Sequence, residues 1–154
     1  MPRIRMLTPD DRAALAALPT RVSADTSYAR FHGVVRVLTT PTLDRLLDLE
    51  QGRHEAVIAE ADEGIVAVAR YVRDTPASAE AEVAIVVADA WQHRGVAQNL
   101  MERLMAAAKR SGLARFEGAV LRANQTMLRF TAALGFKARD DPEDAEQVVV
   151  EREL

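Results

Sequence analysis

The chain has 154 residues, a mass of 16.9 kDa and a formal net charge of −3 at pH 7, from 20 basic and 23 acidic side chains. This length, with 49% apolar and 28% charged residues, predicts one globular domain, residues 1–154, with a buried core. The lack of cysteine excludes disulfides, thiolate nucleophiles and cysteine-ligated metals, and the near balance of charge argues against broad binding to nucleic acid.

The hydropathy pattern predicts no membrane segment. The longest strictly apolar runs, 13–18 and 83–88, have six residues each and are too short to cross a bilayer. The first seven residues lack the apolar core of a signal peptide. We therefore expect a cytoplasmic protein that has no membrane partner.

The first half of the chain changes from a helical to a strand period. A short strand over 4–7 is followed by a helix over 9–18 that begins at Pro9 and that Pro19 ends. Two further helical pieces are predicted over 26–32 and 41–49. Alternating apolar residues then predict strands over 55–61 and 65–73, joined as a hairpin by Asp62-Glu63-Gly64.

The second half alternates strands and helices. A buried strand over 82–87 precedes a helix that runs from Gly95 to Gly112. A strand over 114–121 precedes a helix that Asn124 caps and Gly135 closes. Strands over 136–139 and 147–152 complete the chain, so that the order of elements predicts a mixed α+β sheet.

The junction between strand 82–87 and the next helix has the properties of an anion site. The first backbone N–H groups of a helix have no partner within the helix, and the helix dipole is positive there. Gly95 permits close approach to that backbone, small Ala97 leaves the helix end open, and Arg94 adds a charged donor. Spacing alone is equally consistent with an ordinary strand–loop–helix junction.

Two motifs resemble the GNAT N-acetyltransferases. Gln92-x-x-Gly95-x-Ala97 after an apolar strand is similar to the acetyl-CoA-binding motif of that superfamily. The segment from Asn124 to Leu134-Gly135-Phe136 resembles its late helix. The resemblance covers nearly the whole chain and implies a mostly antiparallel, twisted sheet of about seven strands with a splayed parallel pair, flanked by about four helices.

A narrower resemblance is to bacterial protein lysine acetyltransferases of the Pat type. The matching segments are Ser23-Ala-Asp-Thr-Ser27-Tyr28-Ala-Arg30-Phe31, Val66-Ala-Val-Ala-Arg70-Tyr71, and Ala81-Glu82-Val83-Ala84 followed by Trp91-Gln92. This resemblance implies that a protein lysine accepts the acetyl group and that Tyr28, Arg30 and Phe31 roof the acceptor cleft. Helix packing explains those three residues equally well.

The superfamily resemblance implies acetyl-CoA as co-substrate, bound in a gap between strands 82–87 and 114–121. Pantetheine would pair with the backbone of Ile85, Val86 and Val87. The pyrophosphate would lie on the turn formed by Gln92, His93, Arg94, Gly95, Val96, Ala97 and Gln98. Asn124 would contact the pantetheine arm, although it is also a plain N-cap. Trp91 is expected to pack under this turn.

Glu82 is the predicted general base. A lysine amine has a pKa of about 10.4 and must lose a proton before it attacks a thioester. Glu82 begins the central strand and matches the strand glutamate that acts as base in several protein-acetylating relatives. Glu80, which alternation places on the same side, is the second candidate. Many family members have a tyrosine as general acid where this chain has Thr131, so that Thr131, water or no acid fills the role.

Other functions and sites remain open from the sequence. A small-molecule amine is an alternative acceptor, and a non-catalytic acetyl-CoA-binding regulatory module is an alternative of a different class. The three histidines, at 32, 54 and 93, have no ligand spacing, so we expect no metal. Asp140–Asp144 is either a solvated turn or an acidic docking surface. A homodimer is a further expectation, since dimers are common in the family that the sequence resembles.

Overall fold

The computed structural model describes residues 1–22 and 38–154, which form one seven-stranded mixed sheet with helices on both faces. The strand order is β1-β2-β3-β4-β5-β7-β6. The strands are β1 (Arg3–Met6), β2 (His54–Ala61), β3 (Gly64–Arg73), β4 (Glu80–Val87), β5 (Arg115–Leu121), β6 (Lys137–Asp140) and β7 (Gln147–Glu153). The α-helices in the described ranges are α1 (Arg12–Ala17), α2 (Thr40–Leu46), α3 (Val96–Arg110) and α4 (Gln125–Ala133).

The N-terminal helix differs from its prediction. The segment is divided into a 3-10 turn over Pro9–Asp11, helix α1, and a second 3-10 turn over Leu18–Arg21. Pro19 does not end the winding, because it lies in the first turn of the second 3-10 segment, where a missing N–H costs nothing. The helical piece predicted over 26–32 lies outside the described residues.

Helix α2 is shorter than the predicted piece over 41–49. Thr39 caps it, its hydroxyl accepting a hydrogen bond from the Thr42 backbone N–H at 3.4 Å. The helix ends at Leu46, and Leu47 has already left the helical conformation, with φ −99° and ψ 2°. The apolar period therefore extends beyond the helix, because Leu47 and Leu49 still pack against the core from the following turn.

The predicted hairpin is confirmed. β2 and β3 pair antiparallel from His54 opposite Val72 to Ala61 opposite Gly64, which leaves Asp62-Glu63 as a two-residue loop. Gly64 has φ +121°, a conformation that side chains rarely adopt, and this explains the glycine at the turn.

The sheet is antiparallel except between β4 and β5. These two strands run parallel, and their pairing covers only Glu80 with Arg115, Ala81 with Phe116 and Glu82 with Glu117. Beyond Glu82 the rest of β4 pairs on one edge only, with β3, while β5 continues along β7. The parallel pair is therefore splayed, as the resemblance implies, and the gap opens toward the carboxyl ends of both strands.

Helix α3 covers one face of the sheet and α1 covers the other. α3 buries Leu100, Met101 and Leu104 completely. Ser111, the residue that follows the helix, lies close to Tyr71. The backbone carbonyl of Ser111 accepts a hydrogen bond from the Arg73 side chain at 2.8 Å. Tyr71 also stacks obliquely on Phe116, with ring centroids 5.7 Å apart. The face opposite to Tyr71 is the one that carries Glu82, because side chains alternate along β3 and β4.

Candidate functional site

The direction of the β4 backbone groups determines which of them enter the gap. The Ala88 N–H donates to Val66 O on the β3 side at 2.7 Å, whereas Ala79 O accepts from the Ala114 N–H on the β5 side at 2.8 Å. Backbone groups of successive residues in a strand point to opposite edges. Val83, Ile85 and Val87 therefore direct their N–H and C=O groups into the gap.

Of the three strand residues predicted to pair with pantetheine, the backbone of Ile85 and Val87 faces the gap and that of Val86 does not. Val86 lies opposite Val68 in the antiparallel ladder, and its N–H and C=O point toward β3. The sequence shows the alternation but not its phase, which depends on which neighbour occupies each edge of the strand.

The loop after β4 is tied to the end of that strand. The Gln92 side-chain amide donates to Val87 O at 3.1 Å. The loop begins with a 3-10 turn over Asp89–Trp91. His93 has φ +60° and is the one non-glycine residue of the described chain in the left-handed region. Strained backbone of this kind costs about 1–3 kcal/mol and concentrates at ligand sites.

Helix α3 begins at Val96 with its backbone donors open. Gly95 is its N-cap at φ +80°, and no side chain caps this end. A Cβ atom at Gly95 would meet nothing within 4 Å, so the approach to the helix start is clear. Ala97 is partly buried, and exposed Gln98 donates to Glu102 one turn later at 3.1 Å. The predicted turn thus presents accessible backbone N–H groups, of the kind that bind anions, at the wide end of the gap.

Arg94 is held beside this helix start by an aromatic side chain. Its guanidinium carbon lies 4.9 Å from the centre of the Trp91 ring. The Trp91 indole N–H donates to the Glu63 carboxylate at 2.9 Å, and this hydrogen bond lowers the pKa of Glu63. The β2–β3 turn, which carries Glu63, therefore supports the loop from outside the motif that the sequence indicates.

Glu82 lies at the point where β4 and β5 separate. Its side chain is exposed and lies in register with Val72 on β3 and Glu117 on β5. The next residues of β4 have no partner on the β5 edge. The carboxylate of Glu82 is therefore at the narrow end of the gap, where a group that enters between the strands must stop.

Glu80 is on the same face, as alternation predicts, but it has a structural partner. Its carboxylate forms an ion pair with Arg115, the residue opposite to it on β5. It also lies two residues before the separation of the strands. Because a base must be within hydrogen-bond reach of the reacting amine, this position favours Glu82 over Glu80.

Asn124 and Thr131 both lie on α4 and both make hydrogen bonds there. The Asn124 side-chain oxygen accepts from the Met127 backbone N–H at 3.1 Å, which confirms the predicted N-cap. The Thr131 hydroxyl is 2% exposed and donates to Leu128 O at 3.0 Å. A buried hydroxyl used in this way is poorly placed to protonate a leaving group.

Two other predictions concern the residues at 28, 30 and 31 and the acidic loop. Tyr28, Arg30 and Phe31 lie outside the described residues. In the acidic loop, the carboxylates accept local hydrogen bonds: Asp141 accepts from Gln147 at 2.7 Å and Asp144 from the Glu146 N–H at 2.9 Å. These bonds are those of a structured turn.

The structure also indicates Arg70 as a candidate site residue, whereas in the sequence it was only part of the segment Val66–Tyr71 that resembles the Pat type. Arg70 lies on β3 opposite Ala84 and lines an apolar pocket on the Glu82 face. Its sequence signal was a single charge within the otherwise apolar run of 65–72.

The described ranges contain no group of three His, Asp or Glu side chains that could hold a metal ion. Within the same ranges, no helix has the length and hydropathy needed to span a membrane.

Comparison with known proteins identifies the family. The sequence profile described as the acetyltransferase (GNAT) family matches residues 24–136. An acetyltransferase of Pseudomonas aeruginosa is 30% identical over 150 residues, covering 95% of this chain and 80% of that protein. Acetyltransferase Pat of Mycolicibacterium smegmatis is 34% identical over 134 residues, covering 86% of this chain but only 40% of that protein.

A solved structure supports the same family assignment as the sequence profile and the two relatives. The crystal structure of the GNAT domain of S. lividans PAT superimposes with a TM-score of 0.90 at 32% identity, covering 99% of this chain and 90% of that one. The splayed strands, the open helix start and these relatives lead to one conclusion: the chain belongs to the GNAT family of acetyltransferases.

Proposed function

We propose that this protein transfers the acetyl group of acetyl-CoA to a primary amine by direct attack, in a complex that holds both substrates. The observation that carries the proposal is the gap between β4 and β5. It starts at a carboxylate, Glu82, and opens toward the uncapped start of α3. A thioester with a long polar arm and a pyrophosphate has the shape and charge that this gap requires.

The binding residues act mainly through the backbone. The N–H and C=O of Ile85 and the N–H of Val87 form the edge on which the pantetheine amides extend the sheet, as any unpaired strand edge can do, while the Val87 C=O accepts from Gln92. The N–H groups at the start of α3 and the guanidinium of Arg94 bind the pyrophosphate. A ligand held in this way directs its thioester toward Glu82.

The transfer then needs a base and an oxyanion donor. Glu82 accepts a proton from the ammonium form of the acceptor, directly or through water. The amine nitrogen attacks the thioester carbon, and a backbone N–H on the gap side of β4, such as that of Val83, stabilises the developing oxyanion. The C–S bond breaks, the attacking nitrogen loses its second proton to solvent to give the amide, and CoA leaves as a thiolate that takes a proton from solvent, since the Thr131 hydroxyl is occupied. Without cysteine, the chain has no thiol to form an acyl-enzyme.

For the acceptor, a protein lysine is favoured by the Pat-type resemblance of the sequence. A small-molecule amine requires the same base and the same gap, and it remains the alternative enzyme. A regulatory module that binds acetyl-CoA without transferring the acetyl group is the alternative outside catalysis. All three functions require binding of acetyl-CoA, and they differ in whether an acetylated protein, an acetylated small amine or no acetylated product is formed.

Two measurements test the proposal. Acetyl-CoA at a hundredfold excess over its Kd should stabilise the fold by about 2.7 kcal/mol, which for a chain of this size raises Tm by roughly 5–10 °C. Pantetheine, which lacks the pyrophosphate, should stabilise it much less. Mass spectrometry of amines, lysine peptides and lysate proteins incubated with protein and acetyl-CoA then identifies the acceptor. Stabilisation without any acetylated product supports the regulatory module, and no stabilisation contradicts all three readings.

A further inference from the structure

Arg70 occupies an unusual position for an arginine. It is half-buried on β3, directly opposite Ala84. Its side chain lines a pocket with apolar neighbours that include Leu15, Leu46, Val68, Ala84 and Val86. Glu82 is the diagonal neighbour of Arg70 across the strand pair, a relation in which Cα atoms are about 7–8 Å apart and long side chains reach each other.

Glu82 supplies the opposite charge nearest to the guanidinium of Arg70, and a like charge comes from Arg45. Among the described residues Arg70 forms no hydrogen bond and no close ion pair, so its donors are left for a ligand. Burial lowers the pKa of Arg70, Glu82 raises it and Arg45 lowers it, with a net lowering. A guanidinium carries five donors, and burying a charge without a partner is costly.

Other arginines of the sheet show what this chain normally does with a guanidinium. Arg5 donates to both oxygens of Asp11 at 2.8 and 2.9 Å, and Arg139 donates to Glu151 at 2.7 Å. Arg115 pairs with Glu80. Arg70 has the fork geometry that binds a carboxylate bidentately, but no carboxylate of the described chain fills it.

The position of Arg70 on β3, opposite Ala84 of β4, separates it from the phosphate site. Arg94 and the start of α3 lie beyond Val87, at the wide end of the gap, whereas Arg70 lies by Ala84, next to the predicted base. A group bound by Arg70 is therefore on the acceptor side of the thioester. A second cation, Arg45, makes this part of the pocket more favourable for an anion.

We propose that Arg70 binds a carboxylate of the acceptor, so that the substrates of this protein are amines that carry a carboxylate several bonds away from the reacting nitrogen. The inference rests on the proposed amine acetylation and names its substrate class. The carboxylate binds at Arg70, the apolar walls contact the linking carbons, and the amine reaches Glu82. Such a carboxylate is available on a small amino acid and on an acidic residue close to a target lysine.

The test uses acceptors that differ only in this charge. The small pair is ε-aminocaproic acid and its primary amide, and the peptide pair is a short lysine peptide with either Glu or Gln beside the lysine. The unmodified protein should use the acid member with a kcat/KM about tenfold or more above that of the neutral member, the value of one charge-assisted hydrogen bond. The pair that shows the preference identifies the source of the carboxylate.

Substitutions at Arg70 connect the preference to this residue. Arg70→Gln should remove the preference while the KM for acetyl-CoA stays unchanged, and Arg70→Lys should retain part of it through the remaining charge. Arg110→Gln, the same change at the exposed end of α3, should leave it intact. Equal use of acid and amide by the unmodified protein, or an unchanged preference in Arg70→Gln, would overturn the proposal.

A binding measurement separates this inference from the proposed function. Calorimetry of ε-aminocaproic acid and its amide, titrated into protein saturated with CoA, reports on the Arg70 site without any transfer. If no amine is acetylated, the proposed function fails, and tighter binding of the acid that Arg70→Gln abolishes still supports the carboxylate site. If acetylation occurs and both ligands bind equally, the proposed function stands and the inference fails.

Discussion

The replacement of Glu82 by glutamine tests the assignment of the general base most directly. Glutamine has the same shape and removes only the charge and the basicity. Glu82 is exposed and its charge also acts on Arg70, so the exchange should change the free energy of unfolding by no more than about 1 kcal/mol, the usual limit for an exposed charge pair. A loss of activity in a protein that melts normally is then a loss of chemistry.

The size of the loss follows from the acceptor. A lysine amine with a pKa of about 10.4 is neutral in about one molecule in a thousand at pH 7.4. Without a base, only that fraction can attack, so Glu82→Gln should lower kcat by roughly 100- to 1000-fold, within the usual range for general-base catalysis. The rate of the variant should rise about tenfold per pH unit toward pH 10, whereas the unmodified protein should depend on pH much less.

Glu117→Gln is the matched control, since Glu117 lies beside Glu82 on the same face and makes its nearest ion pair with Arg139, at 4.0 Å. Glu117 is half-buried, and because Glu117→Gln leaves the Glu82 carboxylate in place, its activity should stay close to that of the unmodified protein. Steady-state assays that follow CoA release between pH 6 and pH 10 measure both variants. A native rate and pH profile in Glu82→Gln, or an equal loss in Glu117→Gln, would refute the assignment.

Two further predictions concern stability. Arg5 holds the pKa of Asp11 at about 2, below its ordinary 3.8, so this stabilisation is complete above the unfolded pKa and is lost as the pH falls toward 2. The difference in unfolding free energy between the unmodified protein and Asp11→Asn should therefore shrink between about pH 4 and pH 2 in chemical denaturation, and a constant difference would contradict the pairing. Gly135→Ala should destabilise more than Gly112→Ala in thermal melts. Both glycines have a positive φ, which costs an L-residue about 1–2 kcal/mol, but only at Gly135 does the new Cβ come within 3.0 Å of the Arg152 side chain; equal losses would show that Arg152 moves freely.

Local sequence patterns predicted most of the elements. The alternation around Asp62-Glu63-Gly64 gave the hairpin, and the Gly95 and Asn124 signals placed the starts of α3 and α4 within a residue of their positions. Such features depend on contacts between residues that are close in the chain. Two predictions were wrong: an uninterrupted helix up to Pro19 and a longer α2. Both concern short apolar segments that pack against the sheet, where tertiary contacts decide how far each helical turn continues.

The candidate site was predicted as a set of residues but not as an arrangement. The sequence nominated Glu82, Arg94 and Gly95, and it ranked Glu82 ahead of Glu80, although both lie on one face of one strand. The ion pair of Glu80 with Arg115 on another strand supports that order. The role of Trp91 and Glu63 in holding Arg94 also joins distant parts of the chain.

The sequence by itself determined the order of strands and helices, the start of α3 at Gly95 and the exclusion of cysteine chemistry, since periodicity, capping and composition are local properties. Only the tertiary structure decided where β4 and β5 separate, which backbone groups face the gap, and that Arg70 lies in an apolar pocket on the Glu82 face. These features depend on the register between strands, and register is fixed by side chains that meet across the sheet and are far apart in the chain.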